Sequence, residues 1–534
     1  MKKLMILLMA ALPMLAMAQK SLDVKTDSAG QLSTKIAEDQ RFTISELKVS
    51  GPLDGADLKL LQQIVARSKT SGKNPAECLV TAIDLSGATI VESNVKGGMK
   101  TQADELPAGL FAGAKSLKKA VLPLSLKSTG REIFQNCESL TDIALPEGLK
   151  VLGNEAFEGC KSLTQTVLPS GLEEVPVQAF SGCKALKDIN IPDGIKKIGG
   201  SAFKGCESLK NIVLPSAADE IESAAFDGCT NLEAIEMASV TKIGANAFSG
   251  CKSLKSVVLD RIASLGMIAF TNCTSLETVK MDGTLADVNT GAFKGCTNLT
   301  SVTLPEGLRE ISSHAFEGCT QLTDITFPDG MAKIKDYAFQ KCTSLKSVAL
   351  PNTLKSLGDH AFEKCIGLKS VTIGNLIDEI ETFAFNGCTS LRSIALPNTV
   401  KRIGRNAFCD CTMLSEINWP AALRTIEDAA FEKCQSITSA NFANGLKTIG
   451  GDAFKGCIQI TSADLPPTVK EIGGSAFQNC TALTTIIINS GTPPSISGDT
   501  FKGNNAVILI PKGSKAVYSA DKKWSKVKGM KENK

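Results

Sequence analysis

The chain is 534 residues long, 43% hydrophobic, and carries a formal net charge of +3. That apolar content excludes a disordered polypeptide, and the near balance of 58 basic against 55 acidic residues gives no reason to expect a nucleic-acid partner. The length exceeds what one hydrophobic core organises, so the chain must divide into domains or stack repeats.

Residues 1–18 combine Lys2 and Lys3, an apolar run from Leu4 and the small-residue end Ala16-Met17-Ala18. This pattern predicts a secretory signal peptide cut before Gln19. Loss of Lys2 and Lys3 lowers the formal charge from +3 to +1. No cysteine follows the cut, which argues against a lipid anchor, and no later stretch is apolar for the roughly 18 residues that span a bilayer. The mature chain is expected to be exported: secreted, on the cell surface or in the periplasm.

Residues 19–105 read as an α/β cap and a first irregular repeat. A strand is predicted over 42–49 and a helix over 57–67, with Leu58, Leu61, Ile64 and Val65 on its apolar side. Val80, Ile83 and Leu85 fit a repeat strand. The polar, Gly-containing stretch 86–105 reads as a surface loop.

From 106 to 511 a ruler of eighteen phenylalanines organises the sequence. Phe111, Phe134, Phe157, Phe180, Phe203 and Phe226 are 23 residues apart; two steps of 22 lead through Phe248 to Phe270; steps of 23 then run through Phe293 and Phe316 to Phe477, and a step of 24 ends at Phe501. Such a period signifies a solenoid. In one unit, Leu140, Ile143 and Leu145 form a strand stopped by Pro146, Leu149 and Leu152 face inward from a second extended piece, and Ala156, Phe157 and Cys160 occupy a 3₁₀ or helical turn. Apolar residues on all three sides require a closed coil. Seventeen such strands are predicted in a long parallel sheet, wound right-handed. Gly199, Gly244, Gly404, Gly450 and Gly473 follow the inner Leu or Ile, where a corner is expected to demand positive φ.

Sixteen of the 18 cysteines, Cys137 to Cys480, stand three residues after a ruler Phe. Stacking at roughly 4.8 Å brings equivalent residues together, but their side chains run parallel, whereas a disulfide needs converging Cβ vectors. A column of buried thiols is expected, with disulfides or metal as the alternative. Cys78 and Cys409 fall outside the register and are the thiols most open to other roles.

The solvent-facing strand columns are small, polar and mixed in charge. One begins Thr141, Thr164, Lys187, Lys210 and later includes Lys346, Lys369 and Arg392; another is rich in Ser and Asp; a third includes Asn190, Glu236 and Lys280. They contain no Tyr or Trp, and a solvated face is expected, a broad polar contact being the alternative. Trp419 replaces a Leu and is expected in the core. One column is different. Two residues before the ruler Phe, where Gln178, Ser201, Ala224 and Gly291 stand elsewhere, four successive units carry His314, Tyr337, His360 and Phe383. At coil spacing their rings come into contact. Two readings stay open: a stabilising stack, or a patch that anchors a partner. The two histidines are too far apart for one metal ion, so no metal and no cofactor is expected.

Residues 512–534 form a basic tail or cap, eight Lys against Asp521 and Glu532. A solvated cap is the plain reading and a weak contact with an anionic surface the alternative. Tyr518 and Trp524 are placed to cover the last coil.

Units written Ile-Gly-x-x-Ala-Phe-x-Gly-Cys-x-Ser-Leu-x-x-Val-x-Leu-Pro resemble the BspA-type leucine-rich repeats of bacterial surface proteins. The N-terminal Val49-Ser-Gly-Pro-Leu-Asp-Gly-Ala-Asp57 and the ending Ile510-Pro-Lys-Gly-Ser, with Tyr518 and Trp524, also resemble the ends of exported members. Ala120, Ala440, Ala463 and Asp260 depart from the motif. The resemblance implies a leucine-rich-repeat solenoid that binds a protein or glycoprotein, and it brings no catalytic residues. Neither histidine stands beside a dedicated nucleophile: Ser313 precedes His314 and Cys365 follows His360 only as repeat residues. The expected function is an exported non-enzymatic binding scaffold for adhesion or host interaction. The alternative is a structural or assembly scaffold of the cell envelope or periplasm, and a remote one is an enzyme with its site in the N-terminal cap.

Overall fold

The structure, a computed structural model, describes residues 20–66 and 79–533. The signal segment 1–18, Gln19, Arg67, Cys78 and Lys534 lie outside the described residues. Two compact units, Met1–Ser253 and Leu254–Lys534, are taken in turn.

The first unit opens with a cap in which Lys20–Lys25 pairs in parallel with Ile44–Leu53. The helix is Gly55–Val65 and starts two residues before the expected 57, because Asp54 caps it. The Asp54 carboxylate accepts the N–H groups of Ala56 (2.9 Å) and Asp57 (3.1 Å), and the Asp57 carboxylate accepts the Asp54 N–H (3.2 Å). Buried Asp57 also accepts the amides of Gly30 (2.7 Å) and Leu32 (2.9 Å), which ties the first loop to the helix. The strand expected at 42–49 begins at Ile44, after the 3₁₀ turn Gln40–Phe42, and continues to Leu53, since Gly51, Pro52 and Leu53 pair with Ala88–Ile90. The stretch 86–105 is therefore not loop alone: it holds that strand and an antiparallel bridge between Ser93 and Thr101.

Beyond the cap the chain coils. Ala82–Asp84, Lys119–Val121 and Asp142–Ala144 pair in parallel, with Ile83, Ala120 and Ile143 in one inward column. A second, narrower sheet joins Glu174–Val175, Lys197–Ile198, Glu220–Ile221 and Lys242–Ile243 on another side. The third side is a stack of turns around the ruler. Phe111 to Phe248 are buried, with successive ring centroids 5.2–5.6 Å apart.

These turns contain the i→i+3 bonds of 3₁₀ geometry, such as Cys160 N–H to Phe157 O at 3.1 Å. They do not propagate into helix, because a left-handed residue flanks each Phe on either side, as Glu155 (φ 59°) and Gly159 (φ 72°) flank Phe157. The amides freed in this way reach the next coil: Phe157 N–H donates to Ala179 O and Phe180 N–H to Ala202 O, both at 2.8 Å.

The second unit repeats this construction. Its main-sheet strands run from Ser256–Val258 to Val507–Ile510 in separate ladders. Residues 324–326, expected as a strand, make no ladder, and the Asp324 carboxylate accepts the Thr323 hydroxyl at 2.8 Å. The last coil is covered by the helix Lys515–Ala520, the 3₁₀ turn Trp524–Lys526 and the strand Met530–Glu532. Tyr518 and Trp524 are fully buried; Tyr518 Oη donates to Ser490 O (2.7 Å) and Trp524 Nε1–H to Pro494 O (2.6 Å). Both units are leucine-rich-repeat-type parallel β-solenoids, the expected class.

The glycines after the inner Leu or Ile do not hold positive φ. They are glycine for lack of space. A Cβ on Gly199 would lie 2.7 Å from Val175 O, and one on Gly404 2.8 Å from Thr382 N, both backbone atoms of the preceding coil.

The sixteen in-register thiols form no disulfide and are buried. Fifteen of them also donate to a ruler carbonyl. Cys160 Sγ donates to Phe134 O at 3.2 Å and Cys434 Sγ to Phe408 O at 3.0 Å, so the thiol column is also a hydrogen-bond ladder to the ruler one coil back.

Candidate functional site

The four singled-out residues come together as a ladder in the second unit. His314 stacks on Tyr337 with centroids 4.7 Å apart and planes 4° from parallel; Tyr337 stacks on His360 at 4.5 Å and 9°; His360 stacks on Phe383 at 4.6 Å and 7°. This spacing is tighter than the 5.2–5.6 Å of the buried Phe ladder from Phe270 to Phe477.

Backbone geometry places them. Each lies at the left-handed position before the ruler Phe, with φ of 61°, 61°, 57° and 57° in chain order. Their amides bond onward, for instance Tyr337 N–H to Asp359 O at 2.9 Å. A left-handed backbone costs a residue with a Cβ about 1 kcal/mol or more, while each aromatic contact returns about 0.5–1.5 kcal/mol. The ladder thus recovers strain that a Gly, as at 291, would avoid. All four residues are half-buried, His314 the more open of the histidines at 36% side-chain exposure against 21% for His360.

Carboxylates one turn on hold the histidines. His314 Nδ1 lies 2.6 Å from Glu317 Oε2 and His360 Nδ1 2.7 Å from Glu363 Oε2. Gln340 Nε2 also donates to Glu363 Oε2, at 2.6 Å, and Lys294 pairs with Glu317 at 2.8 Å. Burial pushes the Glu317 carboxyl up, but hydrogen bonds from Lys294 and His314 outweigh it and hold it below the usual carboxylate range. These partners sit immediately after the ruler Phe. The period would have located that column, but not its contact with the rings.

The other singled-out residues do not join this site. Cys365 points inward and donates to Phe339 O at 3.1 Å; burial pushes its thiol up to about 12, so it is no nucleophile for His360. Burial, with Asp410 and Glu432 nearby, pushes the Cys409 thiol likewise up to about 12. Trp419 is only half-buried, a correction to its expected place in the core. Its ring stands edge-on to Phe431, Phe442 and Phe454, at 5.3, 4.7 and 6.0 Å. Among the described residues no three His, Cys, Asp or Glu converge as metal ligands. A cavity of about 160 Å³ in the N-terminal part is lined by Lys100, Thr101, Gln102, Glu105 and Pro107, a set with neither His nor Cys.

A family model for the BspA type leucine rich repeat region matches residues 104–233, 173–290, 263–392 and 378–508. The chain belongs to this family. Among solved structures, a leucine-rich repeat protein from Bacteroides ovatus is 29% identical over 70% of this chain and 93% of its own, with a TM-score of 0.54. A leucine rich repeat protein from T. pallidum is 28% identical, covering 38% of this chain and 77% of its own, with a TM-score of 0.27. A leucine rich cell surface protein from Faecalibacterium prausnitzii is 23% identical, covering 74% and 86%, with a TM-score of 0.34. No curated protein matches. This BspA-type chain is a leucine-rich-repeat scaffold, and among its described residues no helix is long and apolar enough to cross a membrane.

Proposed function

We propose that this BspA-type chain is an exported, non-enzymatic binding scaffold of the adhesion or host-interaction class. It holds a protein or glycoprotein ligand on its coil surface, with His314, Tyr337, His360 and Phe383 as an anchor. The ladder carries this reading: four rings in succession occupy a strained, half-exposed column that is small or polar in most other coils. Neighbouring repeats present continuous binding surfaces, and aromatic residues concentrate where partners dock. Because the faces of the rings cover one another, a ligand meets their edges. There Tyr337 Oη and both histidine Nε2 atoms have no hydrogen-bond partner among the described residues.

The test replaces all four residues by Ala in the full chain and compares what wild type and variant capture from candidate host and envelope proteins. Loss of a captured ligand by a variant with wild-type circular dichroism is expected; retention would remove the ladder from the site. The second reading, a scaffold within the envelope or periplasm, rests on the same N-terminal signal pattern, which leads out of the cytoplasm without fixing the final place. Protease digestion of intact cells separates the two, since only a surface protein is cut.

A further inference from the structure

Lys346, Lys369 and Arg392 stand directly above one another at the head of three registered strands, Ser347–Ala349, Ser370–Thr372 and Ser393–Ala395. Backbone bonds hold them in line: Lys369 N–H donates to Lys346 O at 2.8 Å and Arg392 N–H to Lys369 O at 2.9 Å. All three are exposed, and among the described residues none has a carboxylate partner. Some other cations in this unit do pair across one coil, as Lys294 with Glu317, Lys401 with Asp378 and Lys433 with Asp410.

Like charges opposed across a sheet repel, so three in succession at a coil pitch of roughly 4.8 Å leave a strip of unneutralised positive potential. Beside it runs a registered row of hydroxyls, Ser347, Ser370 and Ser393. Asp324 in the coil before and Glu416 in the coil after limit the strip to three coils.

We propose that this strip binds a linear polysaccharide bearing sulfate or carboxylate groups, laid across the three strands. The strip lies on the main sheet, away from the turn side that carries the ladder, and the proposal stands whether or not the ladder binds anything. Charge complementarity selects the ligand: a linear polyanionic glycan carries anionic groups along its whole length, within reach of the long side chains of Lys346, Lys369 and Arg392 across three coils. Same-face carboxylates of an extended peptide repeat at about 6.7 Å and fall out of step within two coils. Single-stranded nucleic acid calls for aromatic rings on which bases stack, and these three strands have none. The serine hydroxyls suit the ring hydroxyls of a sugar.

The experiment titrates the full chain with dextran sulfate. Binding is expected at about 50 mM salt, weakening linearly on a log–log plot as salt rises. The variant K346Q/K369Q/R392Q should bind at least about ten-fold more weakly, with a shallower salt dependence, while K522Q/K523Q/K526Q in the basic tail keeps wild-type affinity. Dextran sulfate should raise the Tm of the wild type and not that of the triple variant. The proposal is overturned by a triple variant of wild-type affinity, or by loss of binding in the tail variant instead. It is equally overturned if neutral dextran, poly-glutamate or anionic vesicles bind as tightly as dextran sulfate.

Discussion

The Sγ–H of Cys342 donates to the carbonyl oxygen of Phe316, one coil earlier, at 3.2 Å. The same carbonyl accepts the Cys319 N–H at 3.1 Å, so both of its lone pairs are used inside the core. Cys342→Ala leaves one lone pair unpaired and a small void, and should cost about 1 kcal/mol, read as a lower urea midpoint. Cys342→Ser keeps a donor in place and should cost less. An Ala variant more stable than the Ser variant would show that packing, and not the bond, selects cysteine.

The thiol column also predicts an alkaline limit. Burial pushes the Cys365 and Cys480 thiols up to about 12 from an ordinary 9.0. With the folded pKa above the unfolded one, their contribution to stability is whole below pH 9.0 and is lost as the pH climbs toward about 12. The urea midpoint should fall across that window, and thiolate absorbance should rise together with loss of the β-sheet circular dichroism signal. A urea midpoint that stays level from pH 9.0 to about 12 would contradict this. Without reductant, a thiol reagent should label the register cysteines only after denaturation.

Two glycines separate lack of space from backbone strain. A Cβ on Gly404 would lie 2.8 Å from Thr382 N and 2.9 Å from Glu381 C, whereas on Gly318 (φ +75°) its nearest neighbour would be 3.8 Å away. Gly404→Ala should therefore cost about 2 kcal/mol by overpacking, and Gly318→Ala about 1 kcal/mol by conformation alone. Thermal melts of the two variants check the order.

Tyr337 touches rings on both sides, at 4.7 and 4.5 Å, from a backbone with φ 61°. Tyr337→Ala forfeits both contacts and keeps the strain, for a loss of about 1–2 kcal/mol. Tyr337→Gly forfeits the same contacts but relaxes the backbone, so its Tm should lie above that of the Ala variant. The reverse order would mean that the left-handed turn stores no strain there.

Trp524 closes the last coil, with its Nε1–H on Pro494 O and its ring 5.9 Å from that of Phe501. Trp524→Ala should cost about 3–5 kcal/mol locally. Nearest-neighbour coupling confines that loss to the end of the array. Hydrogen exchange should accelerate in Thr485–Ile488 and Val507–Ile510 and stay unchanged in Ser347–Ala349.

Much of this was legible from spacing alone. The interval between ruler phenylalanines indexed Cys137 to Cys480 as one column and His314 to Phe383 as another, and the structure stacks both. The strand at Ala88–Ile90 was not legible, because its three residues lie in a polar stretch and pair with Gly51–Leu53 far back in the chain. The reason for Gly404 was missed for a similar cause: its backbone is ordinary, and the obstacle is the preceding coil.

The period, the buried columns and, through them, the solenoid class and the family follow from the order and polarity of side chains along one chain. Tertiary structure decided the left-handed turns on either side of each ruler Phe from Phe111 to Phe477, the carbonyl partner of every in-register thiol whose bond is described, and the carboxylates beside His314 and His360. It also decided which cations stay unpaired at 346, 369 and 392. The thiol bonds and the unpaired cations depend on how closely one coil approaches the next, where residues 23 apart in sequence, such as Gln340 and Glu363, come within a hydrogen bond of each other; the histidine–carboxylate contacts depend on the fold of a single turn.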